Sequence, residues 1–329
     1  MIVETLADFL TVSELGGVIL QGLAKSALYV MVASGLTLIF GLMGVLNFAH
    51  GSVTMVGAYL GGLVMVTTVT GGTGPLGRIG LFFVAIVLAF GALSVLGGAI
   101  ETTLIRPLYD RPPIYQILLT FGLTLIIDEL VRIILGFYGM QPLSDWQAAL
   151  ATKPQLLRQP ATIGPISVRW LAIFEILLGV LTVALIWGFL TRTRYGLYIR
   201  AGSEDAEMAS ALGIDVRQVF TVVFALGIGL AGAAGTLLMW DVTWGASVPL
   251  AAETLLPAFI VVIVGGLGTF RGTVVAALMV GMIDAVTTWW FQNFFTFTGL
   301  PELMLFLVLV VTLIVRPQGL FGVEEVGGH

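Results

Sequence analysis

The sequence predicts an all-α polytopic membrane protein with roughly eight or nine transmembrane segments, some of them discontinuous. Hydrophobic residues make up 58% of the 329 residues, charged residues make up only 10%, and the mean hydropathy is +1.06. A soluble domain carries about 25% charged residues, so the lipid bilayer is expected to be the main solvent of this chain. The 42 glycines are typical of helices that pack closely through small residues in lipid.

A second observation locates the first two membrane segments. The 52 residues between Lys25 and Arg78 include no Asp, Glu, Lys or Arg, which is enough for about two bilayer crossings. The polar pentapeptide NFAHG, residues 47–51, lies at the centre of this stretch. Because transporters often carry their sites where a membrane helix is interrupted, we expect a break there and a function near it.

The other segments follow from the lengths of charge-free sequence, compared with the roughly 20 residues that a straight crossing needs. We predict helices at 16–41, 52–69, 79–100, 114–137, 170–190, 217–240, 254–270, 272–291 and 301–315. The segment 254–270 contains Pro257 and the glycine-rich stretch GGLG at 265–268, which favours a broken or re-entrant helix. Such a form is tolerated only where protein or a water-filled cavity surrounds it.

The arginines predict the orientation in the membrane. If every segment crosses, eight of them share one side: Arg106, Arg111, Arg192, Arg194, Arg200, Arg217, Arg271 and Arg316. The positive-inside rule makes that side, and with it the C-terminus, cytoplasmic. The N-terminal residues 1–14 carry three acids and no basic residue, which is the wrong charge for a cleavable signal peptide, so the first helix is expected to remain.

Several function classes are excluded. The chain has no cysteine, which rules out disulfides, thiolate catalysis and cysteine metal sites. A net charge of −5 without a clustered basic face gives no case for nucleic-acid binding. Neither Lys25 nor Lys153 lies in the GxxxxGK[ST] loop that wraps nucleotide phosphates, so this chain does not bind ATP in that way. We therefore expect no enzyme and no cofactor bound by this polypeptide.

The predicted cytoplasmic segment 191–217 has the pattern of a short surface helix. Ser203 is a good N-cap, Glu204 and Asp205 suit the positive end of a helix, and Gly213 suits the position after its end. A helix over 204–212 has an apolar side made of Ala206, Met208, Ala209 and Leu212. Two interpretations stay open from the residues alone, docking onto a cytoplasmic partner or lying against the lipid headgroups.

Polar residues in or near the membrane are the candidates for a translocation path. Asn47 and His50 lie at the predicted break, where they either line the path or satisfy backbone groups that the break sets free. Asp284 lies in an apolar run without an obvious local partner, which makes it a functional candidate or a residue of the external vestibule. Asp128 and Arg132 are four residues apart and predict a local ion pair that is structural or part of a gate.

Five sequence blocks together resemble the permease subunits of branched-chain amino acid ABC importers. They are GLTLIFGLMGVLNFAHG at 35–51, Arg106-Pro107 with LTFGL at 119–123, Arg200-Ala201 through Glu204-Asp205 with Ala209 and Leu212-Gly213-Ile214, GGLG at 265–268 with Gly272, and RPQGLFG at 316–322. The resemblance covers nearly the whole chain, which is therefore expected to be a single transmembrane permease domain, 1–329. Many relatives carry an acidic residue directly after the His-Gly pair, whereas this chain has Ser52.

The resemblance implies a multi-subunit importer in a bacterial inner membrane that does no covalent chemistry. Its partners are a second homologous permease in a heterodimer, two cytoplasmic ATPases that use ATP, a periplasmic binding protein, membrane lipid and the small-molecule substrate. Urea or short amides, or an ion-coupled secondary transporter with Asp128, Asp284 and His50 as proton sites, are the alternatives. The path candidates are Asn47, His50, Gly51, Ser52 and Asp284. The candidates for ATPase coupling, within 191–217, are Arg200, Ser203, Glu204, Asp205, Glu207, Met208, Ala209, Leu212 and Gly213.

Overall fold

A computed structural model describes residues 9–241, 243–294 and 300–322. Its helices are α1 Val12–Met43, α2 His50–Thr68, α3 Pro75–Ile100, α4 Pro113–Phe137, α5 Gln147–Ala151, α6 Gln155–Arg158, α7 Trp170–Arg192, α8 Arg194–Glu204, α9 Ala206–Ala211, α10 Val216–Leu238, α11 Leu250–Gly265, α12 Phe270–Phe294 and α13 Leu300–Val315. A π-helical turn, Glu101–Ile105, and a 3-10 turn, Arg106–Leu108, extend α3. Strands β1 Pro160–Ile163 and β2 Ile166–Arg169 form an antiparallel hairpin.

The all-α polytopic fold is confirmed, because each of the nine predicted segments is a helix whose ends lie within a few residues of the predicted ones. Six of the described helices are long and apolar enough to cross a membrane: α1, α2, α3 with its two turns, α7, α10 and α12. The apolar helices α11 and α13 are shorter. The total of eight or nine crossings stays a prediction.

The predicted break between the first two membrane helices is present. Helix α1 ends at Met43, and Gly44 takes the left-handed conformation, with φ +65°, while its N–H donates to the Phe40 carbonyl at 2.8 Å. Residues 44–47 are not helical, and α2 begins at His50. A side chain at Gly44 would be strained at this φ, so glycine is the residue that allows the chain to leave α1 here.

The centre of the bundle is built from α1, α10 and the helices packed on them. In α1 every residue from 26 to 39 is buried, and in α10 so is every residue from 231 to 238. Small residues let backbones approach, and a Cβ built on Gly235 of α10 would lie only 1.8 Å from the Thr54 carbonyl oxygen of α2. This close contact is the packing that glycine-rich membrane helices permit.

The bundle has two distinct ends. At the hairpin end, the Ser13 hydroxyl at the start of α1 donates to the Pro165 carbonyl between β1 and β2, at 2.9 Å. At the opposite end, which we call the α9 end, the last turn of α1 packs on the glycine-rich turn after α11, because a Cβ at Gly41 would lie 2.8 Å from the Gly268 Cα. The β-hairpin was not predicted, and among the described residues it is the one departure from helix and loop.

The segment predicted at 254–270 is a helix that ends early, at Gly265. The chain then turns through Gly266 and Gly268, both with positive φ, before α12 begins at Phe270. The tail after α13 completes this turn: the Leu320 N–H donates to the Val264 carbonyl at 2.8 Å, and the Phe321 N–H donates to the Gly265 carbonyl at 3.0 Å. The tail thus satisfies the carbonyls that the break leaves without helical partners.

Candidate translocation and coupling sites

Asn47 and His50 are inside the packed subunit. Asn47 is 1% exposed and its side-chain oxygen accepts the Ala49 N–H at 3.1 Å. His50 is fully buried, and its Nε2 lies 2.9 Å from the Val32 carbonyl oxygen of α1. These contacts support the local, structural role at the break that was one of the two interpretations. Asn47 Nδ2 and His50 Nδ1 have no hydrogen-bond partner among the described residues.

Gly51 marks the closest approach between α2 and α11. A Cβ at this position would lie 2.0 Å from the Ala251 carbonyl oxygen and 2.8 Å from the Leu255 Cβ. A side chain there would push the two helices apart, so the packing itself requires glycine.

Ser52 and Asp128 form a polar contact that the sequence did not predict. The buried Ser52 hydroxyl donates to Asp128 Oδ1 at 2.6 Å and links α2 to α4. Two turns away on α4, the Thr120 hydroxyl donates to the Leu46 carbonyl in the break before α2, at 3.2 Å. The predicted Asp128–Arg132 ion pair is wrong, because no nitrogen–oxygen distance within 4.0 Å joins these two side chains in the described part of the chain. Asp128 instead turns toward α2.

Asp284 has hydrogen-bond and ion-pair partners, although its apolar sequence neighbourhood showed no obvious one. Its Oδ1 lies 2.8 Å from Lys25 Nζ and accepts the Thr288 hydroxyl at 3.1 Å, while its Oδ2 accepts the Tyr29 hydroxyl at 2.6 Å. Lys25 and Tyr29 lie one turn apart on α1, which packs along α12. Lys25 and Tyr29 are more than 250 residues away from Asp284 in the chain, so no local pattern reveals them.

Of the five path candidates, Asp284 lines a cavity inside the described part of the chain. This cavity has a volume of about 680 Å³ and lies at the hairpin end of the bundle. Its walls come from α1, α7, α11, α12, α13, strand β2 and the loop after α10.

A buried lysine joins the long loop before the hairpin to the end of α10. Lys153 is 5% exposed, and its ammonium group donates to the Trp240 carbonyl at 2.8 Å. The Trp240 indole in turn donates to the Thr152 hydroxyl at 3.0 Å. Burial lowers the pKa of Lys153 below its ordinary value. The sequence indicated only that this lysine lies on the side opposite most of the arginines.

The segment predicted as one surface helix is two helices. Ser203 is not an N-cap, because it lies inside α8 and its hydroxyl donates to the Arg200 carbonyl at 2.9 Å. Asp205 is the N-cap of α9, and its Oδ1 accepts the Met208 N–H at 2.8 Å. The predicted start at Glu204 was therefore two residues early. Asp205 follows the last residue of α8, where its N–H donates to the Ala201 carbonyl at 3.0 Å, and its side chain caps the next helix.

The predicted end of this helix is confirmed. Gly213 has φ +88°, and its N–H donates to the Ser210 carbonyl at 2.9 Å. The Ile214 N–H donates to the Ala209 carbonyl at 3.1 Å, which completes a Schellman motif. This glycine fixes where α9 stops and where the chain turns toward α10.

The apolar side predicted for α9 is largely open to solvent. Ala209 is buried, but Met208 is 58% exposed and Leu212 is 77% exposed. Glu204 and Glu207 are exposed beside them. We call these four exposed residues, Met208, Leu212, Glu204 and Glu207, the α9 patch. It combines apolar and acidic side chains on α9 and at its two ends.

A hydrogen-bonded cluster, missed from the sequence, holds the π-helical turn beside α10. The fully buried Glu101 carboxylate accepts two bonds from Arg106, at 3.2 and 3.0 Å, and one from the Tyr109 hydroxyl at 2.6 Å. Arg106 also donates to the Thr221 hydroxyl at 2.6 Å. Burial and the bond to Glu101 raise the pKa of Tyr109, which keeps it a donor. The Arg106-Pro107 block of the sequence thus fixes the start of α10, next to α9.

Comparison with known proteins gives one consistent result. A family described as "Branched-chain amino acid transport system / permease component" matches residues 18–315. The chain is 27% identical over 311 residues to the high-affinity branched-chain amino acid transport system permease protein LivH of Escherichia coli K12, covering 93% of this chain and 95% of that protein. It is 27% identical over 316 residues to the corresponding permease protein BraD of Pseudomonas aeruginosa, covering 94% and 96%.

More distant matches are partial or weak. The fructose import permease protein FrcC of Rhizobium meliloti is 28% identical over 116 residues, covering 34% of this chain and 32% of that protein. A solved structure, "PsaBC from Streptococcus pneumoniae in complex with Fab", covers 97% of each chain at 12% identity with a TM-score of 0.49. A likeness at that level does not indicate a shared mechanism.

Proposed function

Since the chain belongs to the family of branched-chain amino acid transport permease components, we propose that it forms one half of a heterodimeric pore together with a second, homologous permease. It is a transmembrane permease subunit of an ABC importer for branched-chain or related amino acids. The observation that carries this function is the family match over residues 18–315, on a polytopic helical fold.

The energy for transport comes from cytoplasmic ATPase subunits, two of them in the proposed assembly. The chain has no phosphate-binding loop of its own, and the α9 patch supplies a docking surface. Exposed Met208 and Leu212 cost free energy in water, and a partner groove that covers them recovers it. An amphipathic helix seated in an apolar groove is a common mode of recognition between proteins. This argument favours docking over the lipid-headgroup interpretation of the same helix.

The second permease is proposed to pack against α4. This helix has only two buried residues, Thr120 and Leu135. Its exposed apolar side chains are Leu118, Phe121, Leu125, Ile126, Leu130, Ile133, Ile134 and Phe137. It also carries Asp128, half-buried among them, and charged groups at membrane depth face a partner, a bundle interior or water. We therefore propose the contact of Ser52 with Asp128 as the part of the path that this subunit contributes.

The ion-coupled alternative loses support from the structure. Asp284 is neutralised by Lys25, and His50 is held against the Val32 carbonyl. Of its three proposed proton sites, only Asp128 is left without an ion pair or a backbone contact in the described residues.

The protein is placed in the inner membrane as a multi-pass subunit, and its cytoplasmic side is proposed to be the α9 end. The C-terminal tail docks at the same end, on the turn after α11. A periplasmic binding protein then approaches the hairpin end with the substrate.

The test is ATP hydrolysis by the permease reconstituted in liposomes with its partner permease, its ATPases and its binding protein, with leucine and urea compared. Hydrolysis that rises only with binding protein plus leucine is the expected result. Hydrolysis that rises with urea alone would support an ABC importer whose substrate is urea. Solute movement by the isolated chain on a proton gradient, with no assembly of the other subunits, would contradict the importer.

A further inference from the structure

The cavity at the hairpin end has the size and composition of a small-molecule site. Its volume of about 680 Å³ lies within the range of roughly 300–1,000 Å³ that such sites occupy. Much of the wall is apolar, with Leu28, Leu256, Ile260 and Leu305 among its residues. The charged residues that line it are Lys25, Arg169, Glu175, Asp241, Glu253, Asp284 and Glu302.

These charges do not balance. Lys25 and Asp284 neutralise each other at 2.8 Å. That leaves four carboxylates against the single guanidinium of Arg169. Lys153 lies nearby, but in the described residues it makes no ion pair within 4.0 Å, and its ammonium donates to the Trp240 carbonyl. Glu253 and Glu302 are exposed to water, whereas Asp241 is half-buried and Glu175 is buried. Negative charge that is removed from water needs a positive partner or a proton, so the part of the cavity around Glu175 favours a cation.

Glu175 shows where hydrogen-bond donors are missing. It is 4% exposed, and its Oε1 has no hydrogen-bond partner among the described residues. Glu175 and Asp241 both line the cavity, and the two carboxyl groups interact electrostatically. Ionised carboxylates only accept hydrogen bonds, so two neighbouring ones need a shared proton or the N–H of a ligand between them. A buried acceptor without a donor costs free energy until a ligand supplies one.

The surroundings favour an organic cation over a metal ion. In the part of the chain that the structure describes, no group of three or more His, Cys, Asp or Glu side chains is placed to hold a metal. The rings of Tyr29 and Trp244 both line the cavity, with their centroids 5.8 Å apart. Aromatic faces and apolar walls suit the carbon atoms of an amine, and a carboxylate suits its three N–H donors.

We propose that this cavity binds the primary ammonium group of an aliphatic molecule, with Glu175 and Asp241 as the acceptors. Leucine is one source of this ammonium group, and we name leucine because of the proposed function. The headgroup of phosphatidylethanolamine is another source. This site lies within one subunit, apart from the Ser52–Asp128 contact, and it is placed to receive a solute at the hairpin end.

The test is calorimetric titration of the assembled transporter, without its binding protein, in nanodiscs of phosphatidylglycerol. The probes are leucine, 3-methylbutylamine, which keeps the ammonium and lacks the carboxylate, and 4-methylpentanoate, which keeps the carboxylate and lacks the ammonium. We expect the first two to bind and the third not to bind. Glu175→Gln removes the negative charge at nearly constant shape and should weaken amine binding roughly tenfold or more.

Two further variants make the assignment specific. Asp241→Asn keeps the side-chain oxygen that accepts the Thr243 and Trp244 N–H groups, so it tests the site even if Glu175→Gln fails to assemble. It should weaken amine binding in the same direction. Asp110→Asn removes an exposed carboxylate outside the cavity and should leave binding unchanged.

The outcomes separate this site from the importer function. Loss of amine binding when phosphatidylethanolamine is added to the nanodiscs would support the ammonium site and identify the lipid as its occupant. Equal amine binding by the unmodified transporter and by both carboxylate variants would overturn the proposal. So would no amine binding to a transporter that still imports leucine, which would leave the proposed function intact.

Discussion

The ion pair between Lys25 and Asp284 leads to a quantitative prediction about stability. Lys25→Met keeps the aliphatic length of the side chain but leaves the Asp284 carboxylate without its positive partner. We expect this single change to destabilise the chain more than Asp284→Asn does. We also expect the double variant to be more stable than the sum of the two single effects.

The magnitude follows from the burial of the pair. Removing one partner of a fully buried ion pair costs about 3–5 kcal/mol. Here the side chain of Asp284 is 10% exposed and that of Lys25 is 28% exposed, and Asp284 keeps the hydroxyl donors of Tyr29 and Thr288. We therefore expect a loss of about 2 kcal/mol for Lys25→Met. The ammonium left by Asp284→Asn still reaches the cavity, so that change should cost about 1 kcal/mol.

The assay is equilibrium unfolding of the four proteins in bicelles by steric trapping, which gives the free energy of unfolding in a bilayer. The double-mutant cycle should return a coupling energy of about 1–2 kcal/mol. Single effects that add within about 0.5 kcal/mol would refute the reasoning. That result would mean that the 2.8 Å contact contributes nothing beyond the two side chains taken separately.

The other predictions concern coupling, packing and the path. Leu212→Glu should lower binding-protein-stimulated ATP hydrolysis roughly tenfold while the subunits still form the membrane pair. Hydrolysis equal to that of the unmodified transporter would exclude docking through Leu212. Gly235→Ala should lower the free energy of unfolding by roughly 1–3 kcal/mol, because its Cβ would meet the Thr54 carbonyl of α2. Gly91→Ala has open space around it and should not destabilise the protein. Similar unfolding curves for the two variants would contradict the packing. Asp128→Asn should reduce leucine uptake into proteoliposomes with little change in unfolding free energy, and unchanged uptake would remove this residue from the path.

Much of the fold was predictable because it depends on local patterns. A helix in lipid must satisfy its own backbone, so apolar length alone locates it, and all nine predicted segments are helices. The break before His50 and the αL end of α9 at Gly213 were also predictable, because polar residues and glycine act within one turn of themselves. The Ser203 cap failed for a local reason too: Asp205, two residues later, is a competing cap, and the pattern does not choose between them.

The candidate site was less predictable, since its contacts join distant parts of the chain. Asp284 looked unpartnered because Lys25 and Tyr29 lie on α1, and Asp128 pairs with Ser52 of α2 in place of its helical neighbour Arg132. Periodicity places a residue on a face of its own helix but does not say which helix covers that face.

The sequence by itself determined that this chain is a membrane protein, and it located the helices and their breaks. Those properties follow from hydrophobicity and backbone chemistry within about 20 residues. The tertiary structure decided which charges are neutralised and which apolar side chains of the α9 patch remain exposed. It also decided that Glu175 lines a cavity with one oxygen that has no hydrogen-bond partner among the described residues. These depend on which helices pack together, and in lipid that choice rests on the fit of small residues such as Gly235 against a neighbouring backbone.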